Sequence, residues 1–221
     1  MSYSLHSDPR SSHQRIARFV RALGRDPILD VGASSGQLGQ LLAGSGLTID
    51  GVEPDAESAA IARAHYRTFS ISTVEAANLV GGPYRVIVAA DVLEHTPDPT
   101  GVLKQLVAAS TEDAVFVVSL PNIGHLAARL LVLSGRFPRH DRGIFDRTHL
   151  HFYTRETALE LMASAGLSVS TMNATPVPLE DVWPPALGPL LRELAMRGQT
   201  AAARVAPTVF AFQWLFVARR A

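Results

Sequence analysis

Three carboxylates stand where short apolar runs end: Asp30 within Ile28-Leu-Asp-Val31, Glu53 after Leu47-Thr-Ile-Asp-Gly-Val52, and Asp91 after Arg85-Val-Ile-Val-Ala-Ala90. Gly32 and Gly36 follow the first of them, and glycine lets a turn close tightly and lets backbone approach a ligand. A carboxylate at the neighbouring strand end, Glu53, is suited to accept two hydrogen bonds from a ribose diol. The third acid opens Asp91-Val-Leu-Glu-His95, which lines the same crevice in this reading. Imidazoles that could take a proton follow at His125, His149 and His151. If 148–153 is extended, His149 and His151 share one face. Arg136, Arg139, Arg142 and Arg147 could receive a phosphate or carboxylate, but Asp141 and Asp146 beside them favour a solvated, locally neutral loop.

These residues need a scaffold that brings strand ends together. Strand-like runs at 27–31, 47–52, 68–72, 85–90 and 114–120 alternate with helix-like segments at 11–24, around Leu38, Leu41 and Leu42, at 55–66 and at 101–109. That alternation predicts a doubly wound α/β fold, with helices on both faces of a mostly parallel sheet. Ligands of such sheets bind beyond the carboxyl ends of the strands, where strand order reverses. A helix at 154–165, a strand near 167–171, a proline-rich stretch from Pro176 to Pro189, a helix at 190–196 and a last strand at 209–218 complete the chain. The two terminal strands lack a full crossover between them, which predicts an antiparallel hairpin at the sheet edge. One domain over 1–221 is expected, with a lid-like insertion at 121–153 and a second at 176–205. The second insertion reads equally as packing insert, acceptor lid or dimer contact.

The chain has 221 residues, 47% apolar and 18% charged, an ordinary globular composition. Twenty basic residues balance twenty acidic ones, so no global field draws in nucleic acid. Lys104 is the one lysine, a bias that suggests a GC-rich bacterial genome. Cysteine is absent, which excludes disulfides and thiolate metal sites and fits a cytoplasmic location. The longest apolar stretch, 208–218, contains Gln213 and is too short to span a bilayer. The histidines do not have the spacing of a helical metal pair, so metal independence is expected.

The glycine turn alone does not name its ligand. Its Gly-x-x-x-Gly spacing lacks the third glycine of the dinucleotide fingerprint and the Gly-Lys-Ser/Thr ending of a P-loop, and a turn that merely packs strand on helix would look the same. Together, however, 28–42, Val52-Glu-Pro-Asp55, 86–99, Val117-Val-Ser-Leu-Pro-Asn122 and Gly143-Ile-Phe-Asp-Arg-Thr-His-Leu-His-Phe-Tyr-Thr154 resemble the class I S-adenosylmethionine (SAM)-dependent methyltransferases. The resemblance is greatest to the small bacterial branch similar to ubiquinone-type O-methyltransferases, and it runs over 16–170 in order and spacing.

That resemblance implies a Rossmann-like seven-stranded methyltransferase fold with an antiparallel terminal strand. It implies SAM as cofactor, S-adenosylhomocysteine (SAH) as product, and O-methylation of a small-molecule hydroxyl. Asp30, Gly32, Ala33, Ser34 and Gly36 would surround the methionine part, Glu53 with Pro54 would hold the ribose end, and Asp91, Val92 and Leu93 would line the sulfonium side. Ser72 falls where relatives place an adenine-contacting acid. The sequence departs from the family at Ser34, Arg85 and Ser72. His149 is the expected general base, with His95 and His125 behind it; structural hydrogen bonds or a solvated loop for His149 and His151 are the equal alternative. A SAM-binding protein without catalysis and a nicotinamide-dependent oxidoreductase are the competing readings; no nucleic acid and no membrane span are expected.

Overall fold

The computed structural model describes residues 8–79, 81–179 and 183–221. Its seven strands are β1 (Ile28–Val31), β2 (Ile49–Val52), β3 (Thr68–Ser70), β4 (Tyr84–Ala90), β5 (Ser110–Pro121), β6 (Leu167–Thr175) and β7 (Gln213–Arg220). They form one sheet in the order β3-β2-β1-β4-β5-β7-β6. The first five are parallel; β7 runs antiparallel to both β5 and β6. All four residues of β1 are buried, as in a parallel strand covered on both faces.

Helix α1 (Ser12–Leu23) begins where the Ser11 hydroxyl accepts from the Gln14 amide at 3.4 Å and ends at left-handed Gly24. Its Ile16, Ala17 and Val20 pack on one sheet face with Leu38 and Leu42 of α2 (Gln37–Leu42). On the other face α4 (Pro99–Ala108), capped by Asp98, and α6 (Arg155–Ser164), started by a Thr154–Thr157 capping box, bury Val102, Leu103, Leu106, Leu161 and Met162. Helix α3 (Ala56–Ala62) starts at Asp55, whose carboxylate accepts from the Ser58 amide at 2.9 Å. Because β1 has β2 on one side and β4 on the other, strand order reverses beside it and opens the crevice.

The predicted sheet is observed, with adjusted ends. The third strand stops at Ser70 instead of residue 72, since Ser70 and Ser72 turn to bond each other's hydroxyls at 2.9 Å. The last strand begins at Gln213, after a short helix α8 (Pro207–Phe210), rather than at residue 209. The helix expected at 190–196 is the 18-residue α7 (Gly188–Val205). In the 121–153 segment, α5 (Leu126–Leu133) buries Ala128 against Ile144 and Phe145, while Leu130 and Leu133 face outward. Part of the proline-rich stretch, 180–182, lies outside the described residues. Among the described residues no helix is long and apolar enough to cross a membrane.

Candidate active site

The turn after β1 is built on left-handed backbone: Gly32 has φ +68°, Ser34 φ +47° and Gly36 φ +86°. A Cβ on Gly32 would lie 2.5 Å from the Val92 Cγ2, and one on Gly36 would lie 2.9 Å from the Ala62 Cα. Both glycines are therefore required twice over, for conformation and for space. The amides of Gly32 and Ala33 donate to the Val52 carbonyl at 2.8 and 3.0 Å, which ties the turn to the end of β2. There the Glu53 carboxylate accepts from the Ser34 amide through Oε2 at 2.8 Å and from the Asp55 amide through Oε1 at 2.9 Å. One lone pair on each oxygen stays available, the geometry for two further donors on neighbouring atoms.

These groups surround a cavity of about 510 Å³ walled by Asp30, Gly32, Ala33, Ser34, Glu53, Pro54, Asp91 and Val92. Asp30 accepts from the Tyr66 hydroxyl at 2.6 Å. Burial pushes its carboxyl up to about 7, against the opposing effect of that hydrogen bond, and Glu53 nearby raises it further. Several sequence-derived residues stand elsewhere. Ser72 is not on the wall; Thr73, Val74 and Glu75 are, because the chain turns at Ser72. Leu93 is fully buried in the core. Gly36 sits behind the wall, packed on α3.

A second cavity, of about 580 Å³, lies against the first and has mostly apolar walls from Ala128, Leu131, Ile144, Phe145, Val177 and Phe212. Residues from the N-terminal segment, from 121–153 and from 176–178 all contribute to it. Among the described residues His13 and Asp91 line both cavities. Asp91 is a non-glycine residue at φ +56°. It is held by Ser119, whose hydroxyl donates to Oδ1 at 2.9 Å, and by Gln213, whose Nε2 donates to Oδ2 at 2.7 Å. Sequence reasoning missed His13, Gln213 and Tyr66; none carries a local signal, since each acts through contacts far along the chain.

His149 reaches neither cavity. It is buried, its Nδ1 lies 3.2 Å from the Ile144 carbonyl, and its ring packs edge-on against His95. Burial lowers its pKa, and nearby His95 lowers it further. The reason for the displacement is that 148–153 is not a strand: the amides of Leu150 and His151 both donate to the Glu94 carbonyl, which curls the segment around Glu94. His95 stands in front, on the wall of the first cavity, and His125 lines the second, its Nδ1 accepting from the Ala127 amide at 3.3 Å. Glu94, expected to line the crevice, is buried with neither carboxylate oxygen hydrogen-bonded among the described residues. Burial holds its pKa well above the usual carboxylate range, with Asp91 adding to the shift. The structure thus gathers an acid and two histidines that spacing did not reveal. Glu94, His95 and His149 bring ligand-type atoms within 4.8 Å of one another, a set that could hold a divalent cation.

The sequence profile of the family described as "Methyltransferase domain" matches residues 5–171. A "Ubiquinone biosynthesis O-methyltransferase" of Erwinia tasmaniensis is 33% identical over 95 residues, 40% of this chain and 39% of that protein. The protein of the same name from Pseudomonas aeruginosa is 26% identical over 162 residues, 66% of this chain and 69% of that protein. The matched part is thus under two-fifths of the length of the first curated relatives. Among solved structures, the CcbJ methyltransferase of Streptomyces caelestis aligns with a TM-score of 0.64 at 15% identity, over 99% of each chain. The magnesium protoporphyrin IX methyltransferase of Synechocystis, solved with bound SAH, aligns with a TM-score of 0.63 at 15% identity, over 96% of this chain and 83% of that one. At these identities the structural likeness speaks for the fold.

Proposed function

Because this chain belongs to the methyltransferase-domain family, and within it to the class I SAM-dependent enzymes, we propose that it moves a methyl group from SAM to a hydroxyl of a small molecule. The residues of the first cavity fit SAM. Glu53 has a free lone pair on each oxygen for the ribose diol, Asp30 offers a carboxylate to the cationic amino-acid end, Asp91 offers one to the sulfonium, and Val74 with Pro54 offers an apolar slot for the adenine. When bound, SAM supplies an electrophilic methyl on a positive sulfonium.

The observation that carries the reading is the junction. A methyl held in the first cavity can meet an acceptor in the second only where the two adjoin, and His13 and Asp91 stand there. Transfer is an in-line displacement: the carbon–sulfur bond breaks with both electrons going to sulfur, and the hydroxyl oxygen forms the new bond to carbon. Positioning supplies most of the acceleration. The hydroxyl proton goes to the imidazole of His13, the histidine on both walls, in place of buried His149. The apolar second cavity favours an acceptor with a ring or hydrocarbon body of moderate size, and the O-methyltransferase names of the relatives agree with oxygen as the atom methylated.

The test is methyl transfer from radiolabelled SAM across a panel of hydroxylated ring compounds, alongside calorimetry with SAH and with NAD. Labelled ether product with SAH binding supports the proposal. SAH binding without transfer favours a non-catalytic SAM-binding protein, and binding of NAD alone would sink the reading.

A further inference from the structure

Asp91 is held more firmly than a wall residue needs to be. Its backbone adopts a left-handed conformation that costs a residue with a Cβ, and three bonds fix it: its amide donates to the Ser119 carbonyl at 3.2 Å, and its two oxygens accept from Ser119 and Gln213. Gln213 is in turn oriented. The Thr175 hydroxyl lies 3.3 Å from both the Gln213 backbone carbonyl and the Gln213 Oε1, able to donate to either, while the Gln213 NH₂ is the end that donates to Asp91. The backbone of Gln213 pairs with Pro121 on one side and Thr175 on the other. Three strand ends therefore converge to aim one carboxylate. Both side-chain donors are neutral, so neither cancels its charge, each oxygen keeps a further lone pair, and Asp91 lines both cavities.

We propose that Gln213 is a positioning residue that holds the Asp91 carboxylate at the sulfonium, so that the site favours the charged donor relative to its neutral product. The inference rests on the function proposed above, in which the sulfonium must lie at the junction. SAM and SAH share every other group; they differ by one methyl and one positive charge. A carboxylate fixed at the sulfur attracts SAM and loses that attraction once the methyl has gone, which speeds product release. Gln213 lines only the second cavity, so it acts on the cofactor through Asp91.

The experiment measures Kd for SAM and for SAH by calorimetry in the wild type, Gln213→Met, Asp91→Asn and the double variant. Gln213→Asn, which keeps the amide but is one methylene too short to reach, serves should the Met variant not fold. The expected result is that Kd for SAM rises about five- to tenfold, a loss of roughly 1–1.4 kcal/mol, in either Gln213 variant. Kd for SAH should move less than about twofold on the same scale, and the double variant should match Asp91→Asn alone. Equal weakening of SAM and SAH by the Gln213 variants would mark Gln213 as merely structural and overturn the inference. So would a double variant that widens the SAM-to-SAH gap beyond Asp91→Asn. If the wild type binds neither ligand, the proposed function itself falls, an outcome distinct from both.

Discussion

Substituting Gly32 by alanine perturbs the site at one atom. Two separable penalties arise. An alanine at φ +68° sits in the left-handed region, at a cost of about 1–2 kcal/mol. Its Cβ would also lie 2.5 Å from the Val92 Cγ2, a clash with a stiff β-branched side chain that carries the usual overpacking cost of about 1–3 kcal/mol. The sum, about 2–5 kcal/mol, corresponds to a fall in melting temperature of roughly 4–20 °C for a chain of this size. Urea or thermal melts of the wild type, Gly32→Ala, Val92→Ala and the double variant form a cycle. Removing the Val92 methyls should relieve the clash but leave the conformational cost, so the coupling energy should be favourable by about 1–3 kcal/mol. SAH affinity should fall in Gly32→Ala, because the same turn carries the Ser34 amide that meets Glu53. A Gly32→Ala protein that melts like the wild type, or a cycle with no coupling, would refute the reasoning.

Glu53→Ala removes both the diol acceptor and the partner of the Ser34 and Asp55 amides, so SAM binding should weaken at least about tenfold on the scale of a lost charge-assisted bond; calorimetry reads it. Asp30, raised to about 7 when folded from an ordinary 3.8, keeps its proton in the folded state across a range where the unfolded chain has lost it. Stability should therefore decline as pH rises from about 4 to about 7, and Asp30→Asn should flatten that slope in melts at stepped pH. Binding of cationic SAM should pull the proton off, visible as buffer-dependent binding enthalpy near neutral pH and absent in Asp30→Asn. With an acceptor identified, His13→Ala should lower kcat about 10²–10⁴-fold, the usual worth of a general base, while SAH binds as before. His149→Ala should instead lower the melting temperature more than it changes the proton-transfer limb of a pH–rate profile.

The meeting of three acids was legible because it obeys a local rule: in a parallel sheet, carboxylates at the ends of β1, β2 and β4 must gather at one edge, and Asp30, Glu53 and Asp91 line one cavity. The second cavity was not. His13 stands on α1 and Gln213 on β7, and nothing in their neighbouring residues records that they meet Asp91. His149 was misplaced for a definable reason. Alternation along 148–153 was read as a strand, but one buried carbonyl, that of Glu94, captures two successive amides and turns the segment inward. Glu94 itself looked like a crevice residue because it lies between two that are, yet the tight turn over Leu93–His95 rotates it into the interior.

The place of β7 ties the closure of the sheet to the aim of one carboxylate. β7 is the last strand in the chain but not the outermost in the sheet; it slides between β5 and β6 and delivers Gln213 to Asp91 as it does so. Because β7 pairs with β5 from Pro121 to Phe116 and with β6 on its other side, loss of this one strand would open two strand edges and free Asp91 from Gln213 together. The described walls of the first cavity come from elements before β7, so the cavity and the Gln213 bond that aims its carboxylate depend on separate parts of the chain.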